Sequence, residues 1–280
     1  MSHTLAVITV VYENYTILDD YFASFNNQTD KNFHIFVVDT SISKKKVTLP
    51  DFASYLPAIN KGYAFGVNVG LKEAIKQDFS LFAVTNSDIT VQNNFIEKTL
   101  ASITAHPSSL IGGKIYYAKG YEYHKNRYSE SDKGNVLWYT GGINDWANCQ
   151  TKHRGVDEVD SDIYNTFEKT DFITGCLMCL DKKVLDTVGF WDESYFLYYE
   201  DADYCERAKK KHVRLFYDPS IVIFHKNAAS TGGSGSSIQI KYQQNNQLKF
   251  GLTYAPLKTK LHLLKNYFMR FLNSLCNCGK

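Results

Sequence analysis

Leu81-Phe82-Ala83-Val84-Thr85-Asn86-Ser87-Asp88 decides the fold class: residues suited to a strand buried on both faces, halted by three polar ones. The same arrangement occurs twice upstream. Leu5-Ala6-Val7-Ile8-Thr9-Val10-Val11 is a continuous run rich in β-branched residues, and Phe33-His34-Ile35-Phe36-Val37-Val38 is another, ending at Asp39. Helical spacing fills the gaps: Ile17, Leu18, Tyr21, Phe22 and Phe25 share one side over 15–26. Further helices are expected over Phe65–Lys76 and Asn94–Ala105, and a short strand over Ala58–Asn60. This alternation through the first ~110 residues predicts a mainly parallel sheet with helices on both faces. Open α/β sheets bind ligands beyond the carboxyl ends of their strands, where Asp39 and Asp88 fall.

Farther along, 114–165 is rich in Tyr, Asn, Asp and Gly and lacks periodicity, so loops and short antiparallel strands are expected. Phe172–Leu180 reads as a strand, Lys182–Val188 and Glu200–Lys211 as helices, and Ile221–Phe224 as a last strand. Ser230–Ser237 reads as a flexible Ser/Gly loop. In the tail, Leu261, Leu264, Phe268, Phe271 and Leu272 recur at helical spacing between Lys258, Lys260, Lys265 and Arg270. A basic amphipathic helix of this kind suits an anionic membrane surface or a docking face on protein, and both readings stay open.

Composition narrows the function classes. The 280 residues are 44% hydrophobic, enough for one large core, and the formal charge of +2 gives no general attraction to nucleic acid. No run reaches the ~18 apolar residues of a membrane-spanning helix. Leu5–Val11 lacks the basic flank and cleavage site of a signal peptide. The six cysteines follow no disulfide-scaffold spacing. Cys176 and Cys179 lie three apart in an expected strand, on opposite faces, and cannot share a metal. All six are expected to be reduced thiols in a cytoplasmic protein.

Candidate chemistry begins with exclusions. There is no GxxxxGK[ST] phosphate loop and no serine nucleophile elbow, and the glycines of Gly62–Gly70 are spaced by four rather than as GxGxxG. Asn86-Ser87-Asp88 can offer a carboxylate to Mg²⁺ or Mn²⁺, or can simply be an Asx turn closing a strand. Glu200-Asp201-Ala202-Asp203 can hold a general base or can suit a helix N-terminus, with Lys209, Lys210 and Lys211 at the other end. The aromatic run Phe190–Tyr199 leading into these acids favours a walled pocket. His225 ends an expected strand, where it can ligate a metal or serve the structure alone.

Taken in order, these pieces resemble family 2 glycosyltransferases of the GT-A (nucleotide-diphospho-sugar transferase) fold, especially bacterial rhamnosyltransferase-like members that build surface polysaccharides such as O-antigen. The series is Thr9-Val10-Val11-Tyr12, Val38-Asp39, Asn60–Gly70, Asn86-Ser87-Asp88 and Thr174-Gly175-Cys176-Leu177-Met178. Val188–Glu193 running into Tyr199–Asp203 follows, and His225-Lys226 with Ser230-Thr231-Gly232-Gly233 closes it. The resemblance covers about 5–250. It implies an α/β GT-A fold with a C-terminal helical extension: a nucleotide-sugar-binding half over 1–110, an acceptor and catalytic half over 111–250, and a basic helix over 251–280.

The resemblance also implies roles. Thr9, Val11, Tyr12, Asp39, Asn60, Gly62, Asn68, Asn86, Ser87 and Asp88 would bind the donor, with Asp39 on the ring N–H of uracil or thymine. Asp88 and His225 would ligate Mg²⁺ or Mn²⁺. Trp138, Gly141, Gly142, Thr174, Gly175, Cys176 and Glu200 would face the acceptor, and Asp201 would be the base of an inverting transfer. The Ser/Gly loop after His225 would be a lid. The donor would be a dTDP or UDP sugar, dTDP-rhamnose first, with UDP-galactose and UDP-glucose as alternatives. The acceptor would be a glycan or lipid-linked precursor. Peripheral contact with the inner membrane face through 257–272, and self-association, stay open. The chain departs from the family's pattern at Asn86, where an Asp is usual, and at Tyr242–Asn246, where an Arg-Asn pair is usual. A nucleotidyltransferase would carry a basic glycine-rich loop near its start, absent from 9–20. A non-catalytic GT-A-like partner protein is the other rival.

Overall fold

The computed structural model describes residues 5–226 and 237–277, with side chains of the last segment over 240–269. Its first half runs β1 (Leu5–Val11), α1 (Ile17–Asn26), β2 (Phe33–Asp39), β3 (Ala53–Pro57), α2 (Tyr63–Lys76), β4 (Leu81–Asn86), β5 (Ile89–Val91) and α3 (Phe95–Ala105). Then come β6 (Ser109–Tyr117), β7 (Leu137–Tyr139), β8 (Gly142–Asp145), β9 (Gln150–His153), β10 (Glu168–Lys169) and β11 (Leu177–Asp181). The chain continues through α4 (Lys182–Val188), α5 (Glu200–Lys210), β12 (Arg214–His225), α6 (Ser237–Tyr254) and α7 (Leu257–Asn277).

One sheet runs β10-β12-β6-β11-β4-β1-β2-β3, with β5 and β7 joined to its side. The pairs β3–β2, β2–β1, β1–β4 and β6–β12 are parallel. β11 lies antiparallel to both β4 and β6. Two reversals cancel, so β1, β2, β4, β6 and β12 all point the same way. Val11, Asp39, Asn86, Tyr117 and His225 therefore end on one edge, and the turn entering β11 reaches that edge from the other direction. Leu5, Val7, Ile8, Ile35, Phe36, Phe82 and Val84 are wholly buried along the strands, as expected for a sheet covered on both faces.

The α/β fold with a mainly parallel sheet and helical C-terminal extension matches the sequence expectation, and five elements correct it in detail. The edge strand is Ala53–Pro57, not Ala58–Asn60. Ser109–Tyr117, whose last four residues fall in the region expected to be irregular, is a buried sheet strand. A Cβ on its Gly113 would strike the Ile221 carbonyl, so glycine is what lets β12 approach. Lys114 beside it is buried because Asp160 and Asn165 bind its ammonium at 2.8 and 2.6 Å. β12 begins at Arg214, seven residues before the expected Ile221, and absorbs Pro219 through a register shift between Asp218 and Val222. The strand expected over Phe172–Leu180 begins only at Leu177, and α6 was not anticipated at all. Ser230–Ser236 lies outside the described residues.

Candidate active site

Asp39 closes β2 with no exposure to solvent. The hydroxyls of Tyr15 and Tyr55 donate to its Oδ2 at 2.8 and 2.5 Å, and Ser41 N–H donates to Oδ1 at 2.9 Å. Burial pushes the carboxyl up, but its bonds to Ser41 and to the two tyrosines outweigh this and hold it below the ordinary Asp value. Asp39 is therefore an ionised acceptor at a strand end, held by three donors of the chain itself. Tyr12, 42% exposed, directly follows Val11, the register partner of Asp39. Two neighbouring expectations are corrected. Thr9 is buried in mid-strand between Val37 and Thr85, inside the core. Val11 is also buried, and its carbonyl accepts from Thr40 N–H at 2.9 Å.

The turn into α2 joins the two ends of the site. Asn60 Oδ1 accepts from Gly62 N–H at 3.0 Å. Gly62 has φ +100°, and a Cβ there would collide with the Phe196 carbonyl, which itself accepts from Tyr63 N–H at 2.9 Å. The segment leading to the acids of α5 thus rests directly on the donor-side turn. Asn68 is expected against the ribose and diphosphate. It is buried, its amide donates to Trp191 O and Glu193 Oε1, and its oxygen accepts from Trp191 N–H. Asn68 is a brace on the 191–193 turn.

At the end of β4, Asn86 N–H is held by Cys176 O at 3.1 Å, and Ser87 and Asp88 are buried. His225 ends β12 with Nε2 3.3 Å from Asp88 Oδ1. No third His, Cys, Asp or Glu joins them among the described residues. A carboxylate and an imidazole converging from two strand ends can hold a divalent cation that takes its other ligands from phosphate and water. Trp138, expected on the acceptor side, instead packs edge-on against His225 at 4.5 Å and against His153 at 4.4 Å between ring centroids. Burial holds His153 down to about 4, so it stays neutral and brings no cation to this end.

The acids of α5 have separate fates. Asp203 is tied to Arg207 at 2.8 Å and to the Tyr254 hydroxyl at 2.7 Å. Glu200 is buried and has no hydrogen-bond partner on Oε2. Its burial and the neighbouring Asp201 charge push it well above the usual carboxylate range. Asp201, half-buried, accepts from Gly175 N–H on Oδ2 and from Ala202 N–H on Oδ1, both at 2.8 Å. Burial raises its pKa while those N–H bonds oppose the rise. A carboxylate aimed by two backbone donors, with affinity for a proton above that of a free Asp, is suited to general-base work.

The chain enters α5 under strain. Tyr198 and Tyr199 have φ +69° and +72°, left-handed angles that cost a β-carbon-bearing residue about 1–2 kcal/mol each. Asn246 of α6 holds this turn, donating to Leu197 O and Tyr198 O at 2.9 Å each. Phe250 packs on Tyr199, and Tyr242 stacks on Phe196. Sequence reading missed Tyr15, Tyr55 and His153, which sit in no motif, and met Asn246 only within the segment where the family's Arg-Asn pair is usual.

Several acceptor-side expectations change. Gly175 is a positioning residue through its N–H. Thr174 is buried, and its hydroxyl oxygen accepts from Cys176 N–H. Cys176 is buried, and with Cys149, Cys179 and Cys205 it is a free thiol. Gly141 and Gly142 line a different cavity of about 470 Å³, with Arg154, Thr170, Lys209 and Leu215, which contains neither Asp201 nor His225.

Residues 6–188 match the sequence profile of glycosyl transferase family 2. Asp201 and His225 lie beyond that segment, so their placement rests on the geometry above. The low-salt glycan biosynthesis hexosyltransferase Agl10 of Haloferax volcanii is 20% identical over 182 residues, 65% of this chain and 54% of that protein. This chain thus aligns with about half of that relative's length. Among solved structures, GalNAc-T7 with UDP, GalNAc and Mn²⁺ has a TM-score of 0.65 at 14% identity, over 89% of this chain and 48% of that one. The mannosyltransferase PcManGT of Pyrobaculum calidifontis, with GDP-Man and Mn²⁺, has a TM-score of 0.56 at 13% identity, over 94% and 69%. Both likenesses establish the GT-A fold.

Proposed function

The chain belongs to glycosyl transferase family 2, and from that premise we propose that it moves a hexosyl group, with inversion, from a nucleoside diphosphate sugar to a hydroxyl of a glycan or lipid-linked acceptor. The observation that carries this reading is the shared edge: an ionised carboxylate at the end of β2, a carboxylate–imidazole pair and a backbone-aimed carboxylate face one region. Asp39 accepts the ring N–H of the nucleobase, with the Tyr12 ring beside it. Asp88 and His225 would hold a divalent cation, which supplies positive charge against the departing diphosphate. An imidazole is a poorer ligand for Mg²⁺ than for Mn²⁺, and both structural neighbours contain Mn²⁺, so Mn²⁺ is the expected ion. Asn86 adds no second charge there. Trp138 keeps the His225 ring in place.

Asp201 takes the proton of the acceptor hydroxyl as that oxygen attacks the anomeric carbon. The bond to the diphosphate oxygen breaks with its electron pair, on the opposite face of the sugar, and the configuration inverts. No covalent enzyme intermediate is required. The donor reading is dTDP-rhamnose, on the resemblance to rhamnosyltransferase-like members. UDP-hexoses are the alternative, favoured by the UDP in the GalNAc-T7 structure.

Thermal melting against a panel of nucleotide sugars with Mn²⁺ tests this. A true donor at about 100 times its Kd stabilises the folded chain by about 2.7 kcal/mol, and dTDP or UDP sugars should do so ahead of GDP sugars. If no nucleotide sugar shifts the melt and none is hydrolysed, the transferase reading fails.

A further inference from the structure

We infer that α7 docks the protein onto an anionic lipid surface, lying in the plane of the interface with one apolar line turned into it. Leu257, Leu261, Leu264 and Phe268 are 73, 60, 47 and 58% exposed. At 3.6 residues per turn these four positions fall within a narrow arc of the helix. Lys258 and Lys265 border the arc on one side and Lys260 on the other. The opposite face is already used. The Thr259 hydroxyl donates to Trp146 O at 2.9 Å, and Leu263 lies so close over Gly251 of α6 that a Cβ there would clash. The exposed line is thus the outward face of a docked helix.

Charge selects the occupant. The sequence of α7 carries Lys258, Lys260, Lys265 and Arg270 and no Asp or Glu. A second copy packing through this face would bring two acid-free basic helices together, which like charge disfavours. An anionic bilayer matches both features. It takes the leucines and phenylalanine into the headgroup boundary, while lysine stems run along the apolar line and keep their ammonium groups at the phosphates. No helix among the described residues is long and apolar enough to cross a membrane, so α7 would lie on the surface. α6, against which α7 packs, also carries Asn246, so the membrane-facing helix and the turn before Asp201 share one support.

Flotation of the full chain with vesicles tests this without any turnover, so its failure is distinguishable from failure of the transferase reading. The chain should float with phosphatidylcholine vesicles containing phosphatidylglycerol, stay behind with pure phosphatidylcholine, and be released by high salt. Each lysine near the surface is worth about five-fold in binding, so K258E/K265E should weaken it by more than ten-fold. L261S/L264S should abolish it, and the exposed positions should leave the melting temperature unchanged. Three results would overturn the proposal: no flotation with anionic vesicles, equal flotation with neutral ones, or a wild-type dimer that L261S/L264S converts to monomer.

Discussion

Asp39 and Asp88 stand where parallel strands end, held in register along β1, β2 and β4. Asp201 instead opens a helix entered through two left-handed tyrosines, the first of which Asn246 ties down from 48 residues away. The donor end is thus a by-product of a regular sheet, whereas the base end is an irregular turn stabilised from outside. Regular pairing fixes an atom through many weak constraints. A strained turn relies on a few strong ones, and single substitutions there should displace the reacting group without touching the donor.

The contrast breaks first at the cation-holding pair. Asp88→Asn should cut Mn²⁺-dependent turnover by about 10²–10³-fold, several kcal/mol of charge stabilisation, and should leave the base's pH dependence intact. Asn246→Ala should show the opposite pattern. Two part-buried carbonyls lose their donor, costing about 1–3 kcal/mol of stability in denaturant titrations. kcat should fall by up to about 10²-fold as Asp201 shifts, while donor Kd holds. If donor affinity falls equally, the two ends are not separable in this way. Gly62→Ala tests the joint between them. Its φ of +100° and the Phe196 carbonyl leave no room for a Cβ, so about 1–3 kcal/mol of strain should weaken donor binding and turnover together.

The division between legible and illegible parts follows the same line. Apolar runs ending in Asp39 and Asp88 announce both a strand and its functional end, because burial on two faces leaves a strong local signal. Asp201 was visible only as one of three acids, and the partners of its neighbours decide among them: Arg207 and Tyr254 take Asp203, and burial raises the pKa of Glu200. β6 was hidden because Gly112, Gly113 and Lys114 suit a strand only when β12 and Asp160 are present. Tyr15, Tyr55, His153 and Asn246 act through long-range contacts that no local spacing records. Asn68 misled because its place in a motif suggests a ligand contact, while its amide is spent on the 191–193 turn.

The smallest effect concerns the acid that does no chemistry. Glu200 has a folded-state pKa well above its unfolded one, so its protonation favours folding at low pH and that benefit is lost as pH rises through the folded value. Glu200→Gln should therefore melt a few degrees higher than wild type near pH 8, at about 2–4 °C per kcal/mol, and the gain should vanish below pH ~4. An unchanged difference across that range would show that Glu200 is ionised in the folded protein.

The central claim is that Asp201 performs the proton transfer on a donor bound by other residues. The most direct test is Asp201→Asn, with donor Kd and kcat measured on the same preparation and wild-type kcat followed against pH. The account predicts a kcat lower by about 10²–10⁴-fold, a Kd within about two-fold, and a wild-type rate that falls at acid pH through a value above that of an ordinary Asp. Retention of turnover within ten-fold, or loss of donor binding in step with kcat, would contradict it.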